Sequence, residues 1–351
     1  MIIPSRELKS MNILTSGLFS TFYLGIMNLI LKSPVSVNSS WLRVLHLENF
    51  KKHNKILPKD IGCLIHLRYL SLKGSNVCNV PSSIGNLRCL ETLDLRINFY
   101  SSYDCDLLDY LYIPRVPNLF KYMKQLKHLY LPSNYKVCDK LELGNLSYLQ
   151  TLVNVQPKTI KIPTLFKLNR LRVLKVRNNK RAQYAMQMLI SRCPLIEKLN
   201  LYYLIKRLPE AHKFSPNLAK LTLRETYIKE DPMPTLEKVP NLKILRLLCD
   251  SFVVKHMVCS KGGFPQLRSL LLSFLNLEEW RVEEGAMPSL RDLTIDFCWS
   301  LQTIPDGLTT RPELEIIGMP TLQESEIIEM PTSSKDSLNE GEPDLTKNDN
   351  L

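Results

Sequence analysis

The sequence predicts an α/β repeat solenoid: a curved parallel sheet with one strand per repeat on the concave face, and short helices and irregular segments on the convex face. Two observations carry this prediction. The first is a recurring L-x-x-L-x-L pattern, with clean copies at Leu42-Leu45-Leu47, Leu67-Leu70-Leu72, Leu90-Leu93-Leu95, Leu126-Leu129-Leu131, Leu218-Leu221-Leu223, Leu242-Leu245-Leu247 and Leu267-Leu270-Leu272. Relaxed copies are Leu149-Leu152-Asn154, Leu171-Leu174-Val176, Ile196-Leu199-Leu201, Leu290-Leu293-Ile295 and Leu314-Ile317-Met319, and the twelve copies start 25, 23, 36, 23, 22, 25, 22, 24, 25, 23 and 24 residues apart. The second is size against composition. At 351 residues the chain is long enough for two or three globular domains unless it is a repeat that grows lengthwise, and 44% apolar residues support a real core.

Successive side chains of a strand point to opposite faces, so the second and third apolar positions of each copy point inward and the residues between them point out. Residues 1–41 are expected to form an N-terminal cap or a degenerate first repeat, Leu8-Met11-Ile13. Within them, Met11 to Leu31 carries no charge. Its Asn12, Thr15, Ser16, Ser20, Thr21 and Asn28 weaken insertion into a bilayer, so a buried opening strand and helix is expected rather than a membrane or secretory segment. Residues 42–320 form the solenoid of about twelve repeats. The 36-residue spacing leaves an insertion around Phe99–Val116, where Tyr100, Tyr103, Asp104 and Tyr110 are candidate loop contacts. Between Arg181 and Cys193, the spacing of Ala182, Ala185, Met186, Leu189 and Ile190 predicts a helix. Position nine of the repeat holds Asn98, Asn134, Asn179 and Cys298, side chains suited to bonding backbone in the turn. Residues 321–351 contain eight acids and two lysines, a flexible acidic tail of net charge −6 on a chain of +12, which leaves +18 on residues 1–320.

The periodicity is that of a leucine-rich-repeat solenoid, and the connections are more specific. Leu57-Pro58-Lys59-Asp60-Ile61-Gly62-Cys63-Leu64 is followed by Val80-Pro81-Ser82-Ser83-Ile84-Gly85-Asn86-Leu87 and, more loosely, by Ile162-Pro163-Thr164-Leu165-Phe166-Lys167-Leu168. Later repeats place Pro194, Pro216, Pro240, Pro265, Pro288 and Pro312 two positions before the opening apolar residue. Together these resemble the leucine-rich-repeat region of plant coiled-coil-class nucleotide-binding disease resistance proteins, over roughly residues 40–320. The resemblance implies an intracellular immune module that recognises proteins. It also implies a coiled-coil domain and a nucleotide switch domain before the repeats, yet this chain has no G-x-x-x-x-G-K-[ST] loop and no Met-His-Asp motif. The expectation is a repeat half alone (a truncated product, a fragment or a repeat-only paralogue) that binds no nucleotide and needs no cofactor.

Other chemistries find no foothold in the sequence. Nine scattered cysteines with no C-x-x-C argue against a disulfide scaffold or zinc ribbon and fit a reducing compartment, so a cytoplasmic location is expected. The six histidines show no metal-ligand spacing, and no G-x-S-x-G elbow is present, so no enzyme is expected. His46 and His128 are expected on the outward strand face as solvated or interface residues. The alternatives are a fragment of an extracellular or membrane-tethered receptor and a generic cytosolic adaptor. Only 12 glycines, no L-x-G-x-I-P and two N-x-[ST] sequons, at Asn38 and Asn145, favour the cytosolic reading.

Function is expected on the outward strand positions: the third, fifth and seventh of each copy. In the middle repeats these include Lys175, Arg177, Lys198, Tyr202, Lys220, Arg224 and Arg246, the candidate protein-binding residues of the concave face. The second position adds Arg43, Arg68, Lys127, Arg172, Lys243, Arg268 and Arg291 along one edge, where strands about 4.8 Å apart would let their fields sum within a screening length of about 8 Å. An acidic protein is the expected partner: a pathogen effector, a switch domain or a guarded host protein. The face includes Tyr69, Tyr130 and Tyr202, but no nucleic-acid recognition motif accompanies them, and neither a nucleic-acid nor a membrane partner is expected.

Overall fold

The computed structural model describes residues 42–49, 57–77, 79–97, 113–177, 193–309 and 315–317. The N-terminal cap, the uncharged segment, the insertion carrying Tyr100, Tyr103, Asp104 and Tyr110, the helix expected within residues 181–192 and the acidic tail lie outside the described residues.

Each L-x-x-L-x-L copy supplies one short strand. In chain order these are β1 (Val44–His46), β2 (Tyr69–Ser71), β3 (Thr92–Asp94), β4 (His128–Tyr130), β5 (Thr151–Val155), β6 (Val173–Arg177), β7 (Lys198–Tyr202), β8 (Lys220–Arg224), β9 (Ile244–Leu248), β11 (Ser269–Ser273), β13 (Asp292–Asp296) and β14 (Glu315–Ile317). They form one parallel sheet of twelve strands, each paired with the next repeat's strand. Two further strands lie in the connections, β10 (His256–Cys259) and β12 (Glu279–Val282), and make a separate parallel pair that the repeat pattern does not announce. The registers align equivalent repeat positions: Leu174, Leu199, Leu221, Leu245, Leu270 and Leu293 follow one another across the sheet. These leucines are buried and belong to one continuous apolar core. Each buried leucine contributes about 1.5–3 kcal/mol, which no single repeat could collect by itself.

The connections turn tightly. Residues Lys59–Cys63 and Ser82–Asn86 form five-residue 3-10 turns that drop Ile61 and Ile84 into the core. Successive turns pack so closely that a Cβ at Gly62 would collide with the carbonyl oxygen of Ser83. The proline-rich entries of later repeats have their own device. The Asn217 amide donates to the Pro194 carbonyl at 3.3 Å, that of Asn241 to Pro216 at 2.8 Å, and the Ser289 hydroxyl to Pro265 at 3.0 Å. In these three repeats the residue between proline and leucine thus ties the repeat to the one before it.

Three expectations need correction. In the copy beginning at Leu149, the inward residue is Val155 and not Asn154: Val155 pairs with Val176 through a register shift, and Asn154 takes a left-handed φ of 62°. In the last copy the register pairs Leu293 with Ile316, and Ile317 is 54% exposed, so Leu314-Ile317-Met319 is one residue out of step. A one-residue slip exchanges the two faces of a strand, which is why the difference matters. Asn134 lies exposed and makes no side-chain hydrogen bond among the described residues, whereas Cys298 at the equivalent position is buried with its thiol 3.6 Å from the Asp296 carbonyl. Burial pushes the Cys298 thiol pKa up.

Candidate protein-recognition face

The strand positions that avoid the core form an open face, and the registers fix which side chains are neighbours there. The fifth positions of β6 to β9 align as Lys175, Asn200, Thr222 and Arg246; the third positions as Val173, Lys198, Lys220 and Ile244; the seventh as Arg177, Tyr202, Arg224 and Leu248. The structure therefore gathers all seven of the predicted concave-face residues on four adjacent strands. Six are cations, and no acidic residue occupies the third, fifth or seventh position of these strands.

Their electrostatics follow from the crowding. The Lys220 ammonium has its pKa lowered, first by partial burial and then by repulsion from Arg246, Lys198 and Lys175. Beside them, the Tyr202 ring lies under two guanidiniums, with Arg177 at 4.7 Å and Arg224 at 5.7 Å from its centroid. Such stacking fixes long side chains in place at modest energetic gain. Arg224 also has Glu225 at 3.5 Å, a residue just beyond the strand. Burial and the nearby Glu225 carboxylate raise the Tyr202 pKa, against the lowering effect of Arg177 and Arg224.

The N-terminal third of the face differs. There Asp94, 3% exposed, holds Arg96 through Nε bonds of 2.9 and 3.1 Å, and the Arg96 guanidinium covers the Tyr130 ring at 4.6 Å. The Ser71 hydroxyl donates to Glu48 at 2.5 Å, and His46 packs against the Tyr69 ring at 4.7 Å. His128 contacts the Thr151 hydroxyl at 3.1 Å, and its pKa is lowered by burial and by Lys127. Both histidines lie on the outward face, as expected, and are half-buried among these neighbours.

The expected summing of charge along the edge holds only in part. Backbone bonds place Glu91 between Arg68 and Lys127 and Glu197 after Arg172 in the second-position row. Glu91 receives Arg68 at 3.1 Å and Lys127 at 2.7 Å, and Arg172 meets Glu197 at 3.0 Å. The hydrogen bond from Lys127 draws the Glu91 pKa down. Lys243, Arg268 and Arg291, farther along, form no ion pair among the described residues. Missing from the sequence-based site is the aromatic group at the other end of the strands: Phe274, Phe297 and Trp299 are exposed side by side. Among the described residues, no group of three or more His, Cys, Asp or Glu is placed to hold a metal ion, and no helix is long and apolar enough to cross a membrane.

Comparison with known proteins agrees with this architecture. The family model described as a leucine-rich repeat region matches residues 24–204. The chain is 38% identical over 308 residues to the probable disease resistance RPP8-like protein 2 of Arabidopsis thaliana, covering 78% of this chain and 33% of that protein. It is 37% identical over 315 residues to disease resistance protein RPP8 of the same plant, covering 80% and 34%. The chain thus spans about a third of the length of these relatives. Among solved structures, a leucine-rich-repeat protein of Leptospira interrogans superposes with a TM-score of 0.54 at 22% identity, covering 80% of this chain and 73% of that one, a likeness of fold.

Proposed function

Since this chain belongs to the leucine-rich-repeat family, we propose that it is a non-enzymatic recognition module of plant intracellular immunity, binding an acidic surface of a partner protein on its open strand face. Similarity to plant disease resistance proteins over about four-fifths of the chain supports the immune role, and scattered cysteines without a C-x-x-C support a cytoplasmic location. The observation that carries the choice of surface is the group of Lys175, Lys198, Lys220 and Arg246, which form no ion pair among the described residues, flanked by Arg177 and Arg224. Mutual repulsion makes the free face costly, and an acidic partner relieves it, giving fast encounter and strong salt dependence. The partner is a pathogen effector, a nucleotide switch domain or a guarded host protein.

The test is recovery of bound protein from nuclease-treated leaf extract on the wild-type chain and on the Lys175→Glu, Arg177→Glu, Arg246→Glu variant. The reversal is expected to lower recovery of the specific partner at least tenfold, while Lys261→Glu, just after β10 and off the twelve-stranded sheet, leaves it unchanged. Equal recovery on both chains would reject the surface, and a partner recovered only from extract left untreated with nuclease would replace the protein by a nucleic acid.

A further inference from the structure

We propose that Phe274, Phe297 and Trp299 form a second docking site, separate from the basic cluster, which takes an arginine side chain of a partner protein. At the eighth repeat position, where the chain leaves the strand, φ is left-handed in copy after copy: 55° at Asn49, 70° at Gly74, 48° at Glu225, 47° at Cys249, 52° at Phe274 and 51° at Phe297. Asparagine and glycine accept this conformation cheaply, and a bulky ring does not. Burial does not offset the cost, since the rings of Phe274 and Phe297 remain 50% and 43% exposed. Strain and exposure together at neighbouring positions point to a use outside folding.

The rings are arranged as one surface. Phe274 and Phe297 stack at 4.4 Å between centroids, and Trp299, 72% exposed, meets Phe297 edge-on at 5.6 Å. Aromatic groups of this kind dominate binding energy where a partner covers them.

Charge identifies the occupant. The Asp250 amide donates to the Phe274 carbonyl at 3.0 Å, and the Phe274 amide donates to the Asp296 carbonyl at 2.9 Å, so aspartates flank Phe274 on both neighbouring repeats. Across positions seven to ten of these three repeats, Asp250 and Asp296 are the only charged residues. Aspartates on the repeats either side of an exposed ring group favour a cation. A planar, weakly hydrated guanidinium both stacks on rings and pairs with carboxylates, which an ammonium does less well.

The probe is a blocked pentapeptide with two arginines, compared with the same peptide carrying citrulline or glutamate at those positions. Fluorescence reports the contact through Trp299, with Trp299→Phe identifying its share of the signal. The arginine peptide is expected to give a saturable change below about 5 mM, with no response to the citrulline or glutamate peptides. Asp250→Asn and Asp296→Asn, which preserve shape, are each expected to weaken binding roughly fivefold. Calorimetry on Trp299→Ala checks the loss by a second readout. An equal response to the citrulline peptide, indifference to both asparagine variants, or no saturation would overturn the proposal. So would a concentration-dependent dimer in sedimentation that Trp299→Ala abolishes, because a second copy would then cover the rings. Charge reversal at Lys175, Arg177 and Arg246 is expected to leave arginine-peptide binding intact, so this site and the basic cluster succeed or fail separately.

Discussion

Lys220 shows what crowding does to one side chain. Burial and three neighbouring cations hold its pKa below the ordinary lysine range. The sign follows: a depressed folded-state pKa makes the charged form a cost, so stability rises as pH climbs from the folded value toward the unfolded one. In a nuclear magnetic resonance titration of isotopically methylated lysines, Lys220 is expected to deprotonate below the ordinary lysine range, and the Arg246→Gln chain should titrate higher at this residue than the wild type. Coincident titration curves would show that the cluster does not act as a unit. At this scale the sequence was informative, because strand alternation alone placed the seven face residues outward. What it obscured was pairing. Glu91 and Glu197 sit at the same repeat position as Arg68, Lys127 and Arg172, but only the lateral stacking of repeats makes them neighbours.

At the scale of elements, the recurring I-G pair in the early connections is a packing device. Gly62 faces the Ser83 backbone with no room for a methyl group, so Gly62→Ala is expected to cost about 1–3 kcal/mol in a thermal or denaturant melt. Asn241→Ala removes an exposed tie to Pro216 and should cost about 0.5–1.5 kcal/mol by the same measurement. The prolines of these entries were visible in the sequence, but the bond that follows each was not, because it joins residues 23 to 25 apart. The bulge at Asn154 and the slip at Ile317 escaped for a related reason. Short segments with adjacent apolar residues, such as Ile316 and Ile317, fit two registers, and hydrogen bonding to the preceding strand decides between them. The β10–β12 pair was also hidden. It forms between two connections and is braced by Asp231, whose carboxylate accepts the Val258 amide at 2.8 Å.

For the repeat array as a whole, each strand is held chiefly by its two neighbours, so damage spreads along the stack. Leu245→Ala, in the buried row between Leu221 and Leu270, should destabilise by about 2–5 kcal/mol and loosen the flanking repeats first, as read by hydrogen exchange. The period alone revealed this architecture. The candidate surface was half legible: repetition showed where side chains would converge, while the left-handed turn that presents Phe274 and Phe297 leaves no pattern in composition or spacing.

The central claim is that the basic cluster is where a partner protein sits. The most direct measurement places a photo-crosslinking amino acid at Asn200, between Lys175 and Thr222 in the central row, and activates it in leaf cells. The account predicts a discrete protein adduct that disappears when Lys175, Arg177 and Arg246 are reversed to glutamate. An adduct that survives the reversal unchanged would contradict it.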